Sequence, residues 1–145
     1  MSLVSFAAKL ATRPQGAVEL ALFDHIWKQT PIETVLAELM RSEVFLFAQN
    51  PVQAVAGGAD PKPLVMQGSG GNPLMLVFTS QARSAAVARR LPPGGNSGLS
   101  MPFKDVLRWV PIELGLAINS GAALGAECTP AHMDALRRQA GIFRP

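Results

Sequence analysis

The sequence predicts a single α+β domain, in which a four-stranded mixed sheet is packed by about five helices. Two apolar runs, residues 74–78 and 112–118, indicate buried strands, and helix-like sequence separates them. The 145 residues are the length of one ordinary domain. Hydrophobic residues make up 48% of the chain and charged residues 16%, which favours a packed core over disorder. The predicted strands are residues 43–49, 63–67, 74–78 and 112–118.

The predicted domain starts where the apolar residues begin to recur at helical spacing. Residues 1–16 carry little periodicity and are predicted to be an N-terminal arm, and residues 17–145 form the domain. No run approaches the roughly 18 apolar residues of a membrane span, and no basic residue precedes the apolar N-terminal patch as in a secretory signal. Cys128 is the only cysteine and has no partner for an internal disulfide. We therefore expect a cytoplasmic protein.

The first two elements are predicted to be helices. Between residues 17 and 29, Val18, Leu22 and Ile26 recur at helical spacing. Thr30-Pro31-Ile32-Glu33 has the form of a capping box, in which the Thr30 side chain bonds the Glu33 backbone and the Glu33 carboxylate bonds back. A second helix is then expected to run to about Arg41.

The first three strands are predicted to form an antiparallel meander. Residues 43–49 are rich in β-formers, and residues 63–67 lead through a Gly-rich turn at 68–73 into the strand at 74–78. That turn lacks the Lys-Ser/Thr and the helix that a phosphate-binding loop requires.

Helical sequence follows the third strand. Ser80 is predicted to cap a helix running to Arg90, which would turn Ala82, Ala85, Ala86 and Val87 inward. Residues 91–98 are rich in Pro and Gly and are predicted to be an exposed loop. A helix at 102–110, the strand at 112–118 and a final helix that starts at Thr129-Pro130 complete the chain.

The fourth strand is predicted to lie parallel to the third, because helical crossovers between strands of one sheet are right-handed. Thr79-Ser80 and Asn119-Ser120 follow these two strands and would then emerge at the same edge of the sheet. Ligands often bind at such an edge.

Four short motifs occur in an order typical of a known family. Residues 42–47, Ser-Glu-Val-Phe-Leu-Phe, form a strand after two helices, and Phe78-Thr79-Ser80 ends a later strand. Asn119-Ser120-Gly121 stands where the family usually has Asn-Pro-Gly, and Thr129-Pro130 starts a closing helix. In these motifs, over about residues 17–140, the chain resembles the N-terminal domain of the bacterial SseB family.

The resemblance implies the α+β fold and a module with no established catalytic activity. The family is named for an enhanced serine sensitivity phenotype, and the resemblance supplies no catalytic residues and no cofactor. Ser120 replaces the usual proline, which changes the rigidity expected of that turn.

The residues offer no catalytic set and no metal site. Cys128, His25 and His132 do not stand at the spacing of metal ligands, and no metal or cofactor is expected. Ser80 lacks the Gly-x-Ser-x-Gly context of a nucleophile elbow. Glu19, like Asp24 and Glu38, is placed on the solvent side of its helix. We expect a protein that is not an enzyme.

Three hypotheses for function remain. The first is an interaction or regulatory module whose partner is another protein or a second copy of the chain. Its predicted surface comprises Trp109, Arg89, Arg90 and Arg108, with a contribution from the arm.

The second hypothesis is a site for a small anionic ligand at the predicted sheet edge. The residues proposed to bind it are Thr79, Ser80, Arg83, Asn119 and Ser120.

The third is weak nucleic-acid binding through the basic segment 83–108, which carries five basic residues against one acidic residue. Nucleic acid is the less expected partner, because the segment lacks the interleaved aromatics that stack on bases.

Overall fold

Five helices and seven strands make up the described part of the chain, which confirms the predicted α+β class. The computed structural model describes residues 14–49, 62–68, 70–91 and 97–142. The prediction of an arm at residues 1–16 thus falls almost wholly outside the described residues. No helix in these ranges is long and apolar enough to cross a membrane.

Two helices and four strands come first along the chain, and helices and strands are interspersed after them. The helices are α1 (Ala17–Trp27), α2 (Ile32–Leu39), α3 (Ala85–Ala88), α4 (Phe103–Trp109) and α5 (Pro130–Gln139), and a 3-10 turn at Ala82–Ser84 leads into α3. The strands are β1 (Glu43–Gln49), β2 (Lys62–Pro63), β3 (Val65–Gln67), β4 (Pro73–Val77), β5 (Ser97–Pro102), β6 (Gly115–Ile118) and β7 (Ala126–Cys128).

The strands form two sheets. A four-stranded mixed sheet is present as predicted, but the predicted strand at 43–49 belongs to a separate antiparallel sheet. The first sheet has the order β2-β1-β5 and is antiparallel throughout. The second has the order β3-β4-β6-β7, in which only β4 and β6 are parallel among its neighbouring strands. The predicted meander is therefore divided, since β1 pairs with β2 while β3 pairs with β4.

The two sheets are joined by main-chain hydrogen bonds. Phe45 and Phe78 exchange both of theirs, at 2.8 and 2.7 Å. Leu64 donates to the Phe47 carbonyl at 3.0 Å and accepts from the Leu76 N–H at 3.1 Å. A single segment, residues 62–67, thus pairs first with β1 and then with β4, which holds the edges of the two sheets together.

The predicted parallel pairing of the third and fourth strands is confirmed. Leu74 lies opposite Gly115 and Val77 lies opposite Ile118. The fourth strand is shorter than predicted, because Ile112 and Glu113 lie exposed in a turn before β6. The helices cover the face of this sheet that carries Met75, Val77 and Leu116, and its central strands β4 and β6 are almost entirely buried.

Two strands were not predicted. β5 begins at Ser97, inside the predicted loop 91–98, and it pairs along β1 from Glu43 to Ala48. Four of its six residues are exposed and only Leu99 and Met101 pack partly against the core, so its apolar alternation is too short to be recognised. Gly98 leaves room for the Phe45 ring, since a Cβ at this position would overlap Cζ of Phe45 unless that ring shifted. β7 has only three residues.

The segment after β4 is only partly as predicted. Ser80 Oγ accepts a hydrogen bond from the Arg83 N–H at 3.3 Å, as expected of a helix start, but a 3-10 turn and one turn of α-helix replace the predicted helix. Ala82, Ala85 and Ala86 are exposed, which contradicts their inward placement. Ser84 is the buried residue in this segment instead.

The predicted Thr30 capping box is also wrong. Pro31 is extended and is itself the N-cap of α2, so Thr30 lies one residue too early to reach the first turn. Its hydroxyl has no hydrogen-bond partner within the described residues. The same Thr-Pro pair at 129–130 does cap α5, where Thr129 and His132 form a capping box.

Candidate functional site

The polar residues that follow β4 and β6 lie together, as the parallel pairing predicts. The Thr79 N–H donates to Asn119 Oδ1 at 2.9 Å, and Asn119 Nδ2 donates to Thr79 Oγ1 at 3.0 Å. The Asn119 N–H continues the sheet by donating to the Val77 carbonyl at 2.9 Å. These bonds tie the two strand ends into one unit.

Asn119 is the centre of this edge. It is fully buried, and its φ of 53° lies in the left-handed region that asparagine tolerates better than most residues. Its Nδ2 group also donates to the Leu124 carbonyl at 3.0 Å, which closes the loop between β6 and β7. All of the described bonds of this side chain thus serve the loop and the strand ends.

A carboxylate that was predicted to face solvent belongs to the same cluster. Glu19 is 1% exposed, so its predicted solvent-side position is wrong. Arg83 donates to it twice, from Nε at 2.9 Å and from Nη2 at 2.7 Å. The Thr79 hydroxyl and the Gln15 N–H donate to the same carboxylate. We call Glu19, Thr79, Arg83 and Asn119 the polar clamp.

Electrostatics explain how a carboxylate remains charged there. Burial acts to raise the pKa of Glu19, but hydrogen bonds from Arg83, Thr79 and Gln15 and the charge of Arg83 outweigh it, so the pKa lies below its ordinary value. The hydrogen bonds to Glu19 raise the pKa of Arg83 against the effect of its own burial, and the negative charge adds to the rise. Both groups are ionised at neutral pH.

Ser120 lies apart from the clamp. Its hydroxyl donates to Met66 Sδ at 3.3 Å, on the edge strand β3. Beside it is an open hollow of about 410 Å³, which we call the Ser120 hollow. It is lined by Met66, Ala117, Ile118, Asn119, Ser120, Gly121, Ala122, Gly125, Ala126 and Glu127. Of the five residues proposed for a ligand, only Asn119 and Ser120 line it.

The residues proposed for an interaction surface are also divided. Arg89 and Arg90 are exposed at the end of α3. Arg108 forms an ion pair with Asp105 on the surface of α4, at 3.0 Å. The prediction for the Trp109 side chain lies outside what the structure describes.

A second concavity lies between β1 and the helical segment after β4. It has a volume of about 500 Å³, and we call it the Phe45 groove. It is lined by Phe45, Phe47, Gln81, Ala82, Ser84, Ala85, Ala88 and Arg89. It was not predicted from the sequence, because Ala82 and Ala85 were expected to face the core.

Glu19 was missed although a signal was present. In α1 it precedes Leu22, Phe23 and Ile26 by three, four and seven residues, which places it in line with an apolar face. A carboxylate at such a position requires a buried partner. The partner, Arg83, is 64 residues away, and only the fold brings it there.

The chain matches a known protein family. A family model described as the SseB protein N-terminal domain matches residues 19–135, which is most of the chain. The chain belongs to the SseB family. In this SseB domain the match begins at Glu19 and includes the other three clamp residues. A search of curated proteins found no match to the chain.

Proposed function

We propose that this SseB domain is a non-enzymatic interaction or regulatory module that works in the cytoplasm. The observation that carries the proposal is the edge strand β3, where Val65 is 43% exposed and Met66 is 38% exposed. No strand lies outside β3 in the described part of the chain. A sheet edge with apolar side chains is a template for pairing with another chain.

The partner of this edge is another protein or a second copy of the domain. A strand added beside β3 would satisfy its outward main-chain groups and cover Val65 and Met66. Full burial of one such side chain stabilises a complex by about 1.5–3 kcal/mol. Val65 and Met66 are only partly exposed before binding, so covering each of them contributes less than this. This suits a regulated contact better than an obligate one.

The polar clamp supports the same proposal. An anion-binding site needs a cation free to meet the anion, whereas the Arg83 guanidinium already makes two bonds to Glu19. Thr79 and Asn119 likewise bond each other, and Asn119 also donates to the Leu124 carbonyl of its own loop. We infer that the polar clamp stabilises the fold and that function depends on contacts made at the protein surface.

Affinity capture tests the proposal. The domain would be immobilised and exposed to lysate of the cell that produces it, beside V65K/M66K, which places charges on the edge. I112K is the matched control, since Ile112 is 54% exposed in a turn outside the sheets. We expect a partner retained by the wild type and I112K and lost with V65K/M66K. Sedimentation of the three proteins measures self-association, and absence of both a partner and self-association would contradict the proposal.

A second candidate, small-ligand binding, is favoured by the Ser120 hollow. Its volume of about 410 Å³ is that of a small-molecule site. Glu127 is the ionisable residue among its described lining, which disfavours the anion proposed from the sequence and favours a neutral ligand. A thermal-shift screen with S120W, which fills the hollow, tests this. Hits that bind the wild type and S120W equally would contradict it.

Nucleic-acid binding receives less support. Arg83 pairs with Glu19 and Arg108 with Asp105, so an acidic partner offsets the charge of two of the five basic residues. Titration with mixed DNA and RNA at several salt concentrations measures what remains. We expect weak binding or none.

A further inference from the structure

We propose that the Phe45 groove binds an acidic protein segment, which inserts one apolar side chain between β1 and α3 and places carboxylates beside Arg89 and Arg90. This inference names a partner for the interaction function proposed above and rests on it. It concerns a surface separate from the β3 edge, so each can fail alone.

The floor of the groove is aromatic and held in place. The Phe45 and Phe47 rings meet edge to face with centroids 5.3 Å apart, and Phe47 meets Phe78 in the same way at 5.9 Å. The Phe45 N–H donates to the Phe78 carbonyl, and the Phe45 carbonyl accepts from the Phe78 N–H. Gly98 leaves the room that the Phe45 ring occupies. A preformed floor lowers the entropy cost of binding an apolar side chain.

The wall of the groove is made of small apolar residues. Ala82, Ala85 and Ala88 follow one another at intervals of three, and all are exposed. A solvated helical face usually carries long polar side chains, whereas methyl groups leave depth for an inserted side chain. The concavity of about 500 Å³ has room for one large apolar residue and its neighbours.

Charge decides which partner fits. No acidic residue occurs between Asp60 and Asp105 in the sequence, and this span supplies the wall, the 3-10 turn and α3. Arg89 lines the groove and Arg90 follows it, and neither forms an ion pair within the described residues. An apolar anchor beside an unbalanced positive charge is complementary to an apolar residue flanked by Asp or Glu.

A randomised dodecapeptide library displayed on phage and selected on the intact chain tests this directly. We expect enriched peptides in which an aromatic or aliphatic residue is flanked by carboxylates. Their affinity, measured by fluorescence anisotropy, should fall about tenfold or more with A85E, which fills and recharges the groove, and with R89E. A135E and R138E are the matched controls, since both residues are exposed on α5.

The outcomes separate the alternatives. No enrichment, enriched peptides without the acidic and apolar pattern, or equal binding by A85E and A135E would each overturn the groove proposal. It would also be overturned if an oligonucleotide binds A85E as well as the wild type but binds R89E more weakly, because the arginines would then serve nucleic acid. Dissociation of a dimer by A85E would overturn it too, because the groove would then bind a second copy of the chain. Any of these results at the groove, together with a lysate partner that depends on β3, would leave the proposed function standing and remove only this inference.

Discussion

Arg83 and Glu19 form a buried ion pair in which the guanidinium donates from both Nε and Nη2, at 2.9 and 2.7 Å. Glu19 is 1% exposed, and the Arg83 side chain is 22% exposed. The pair joins the first helix to the segment after β4. Because Thr79 also bonds Glu19 and Asn119, the first helix is connected through the clamp to both parallel strands.

The first prediction concerns removal of the cation. R83M should lower the free energy of unfolding by about 3–5 kcal/mol, because it leaves the Glu19 carboxylate buried without its partner. Urea denaturation followed by circular dichroism measures this. R90M is the matched control and should change stability by less than about 0.5 kcal/mol, since Arg90 is exposed. Equal losses in the two variants would contradict a structural role for the pair.

The second prediction concerns pH. The pKa of Glu19 in the folded protein lies below its ordinary value of 4.5, so folding favours the ionised form. The stability that this contributes is fully present above pH 4.5 and is lost as the pH falls through the lower, folded pKa. E19Q should therefore show a shallower loss of unfolding free energy between pH 5 and pH 3 than the wild type, because its residue 19 no longer titrates. Parallel slopes in urea titrations at each pH would refute it.

The third prediction concerns the backbone at Asn119. N119G and N119A both remove the bonds to Thr79 and Leu124, but only alanine is strained at a φ of 53°. N119A should therefore be less stable than N119G by about 1 kcal/mol. Thermal and urea unfolding compare the two. If N119A is the more stable protein, the left-handed conformation does not govern the choice of residue.

The fourth prediction concerns Cys128. Burial, with a smaller contribution from the charge of Glu33, raises the pKa of this thiol from 9.0 to about 12, and the residue is 1% exposed. At pH 8 the folded protein should react with Ellman's reagent orders of magnitude more slowly than a cysteine peptide. Labelling should accelerate with urea in parallel with unfolding. Rapid labelling in native buffer would show that β7 opens independently of the core.

The strands that form the sheet centre could be recognised from the sequence because they are buried on both faces. Residues 74–78 are continuous apolar sequence, and a right-handed crossover then leaves one arrangement for the strand that follows. β5 could not be recognised in this way, because its residues are mostly exposed and it gains its pairing from β1 alone. Sequence patterns report burial, and in β5 only Leu99 and Met101 are partly buried, which is too little to mark a strand.

The candidate site shows the same division. The sequence by itself determined the α+β class, the family and the meeting of Thr79 with Asn119, since these depend on local periodicity and on handedness. Only the tertiary structure decided that Arg83 faces Glu19 and that three alanines line an open groove. Both depend on which surfaces of distant elements meet, and a buried charge or an exposed methyl group is defined by its neighbours in space.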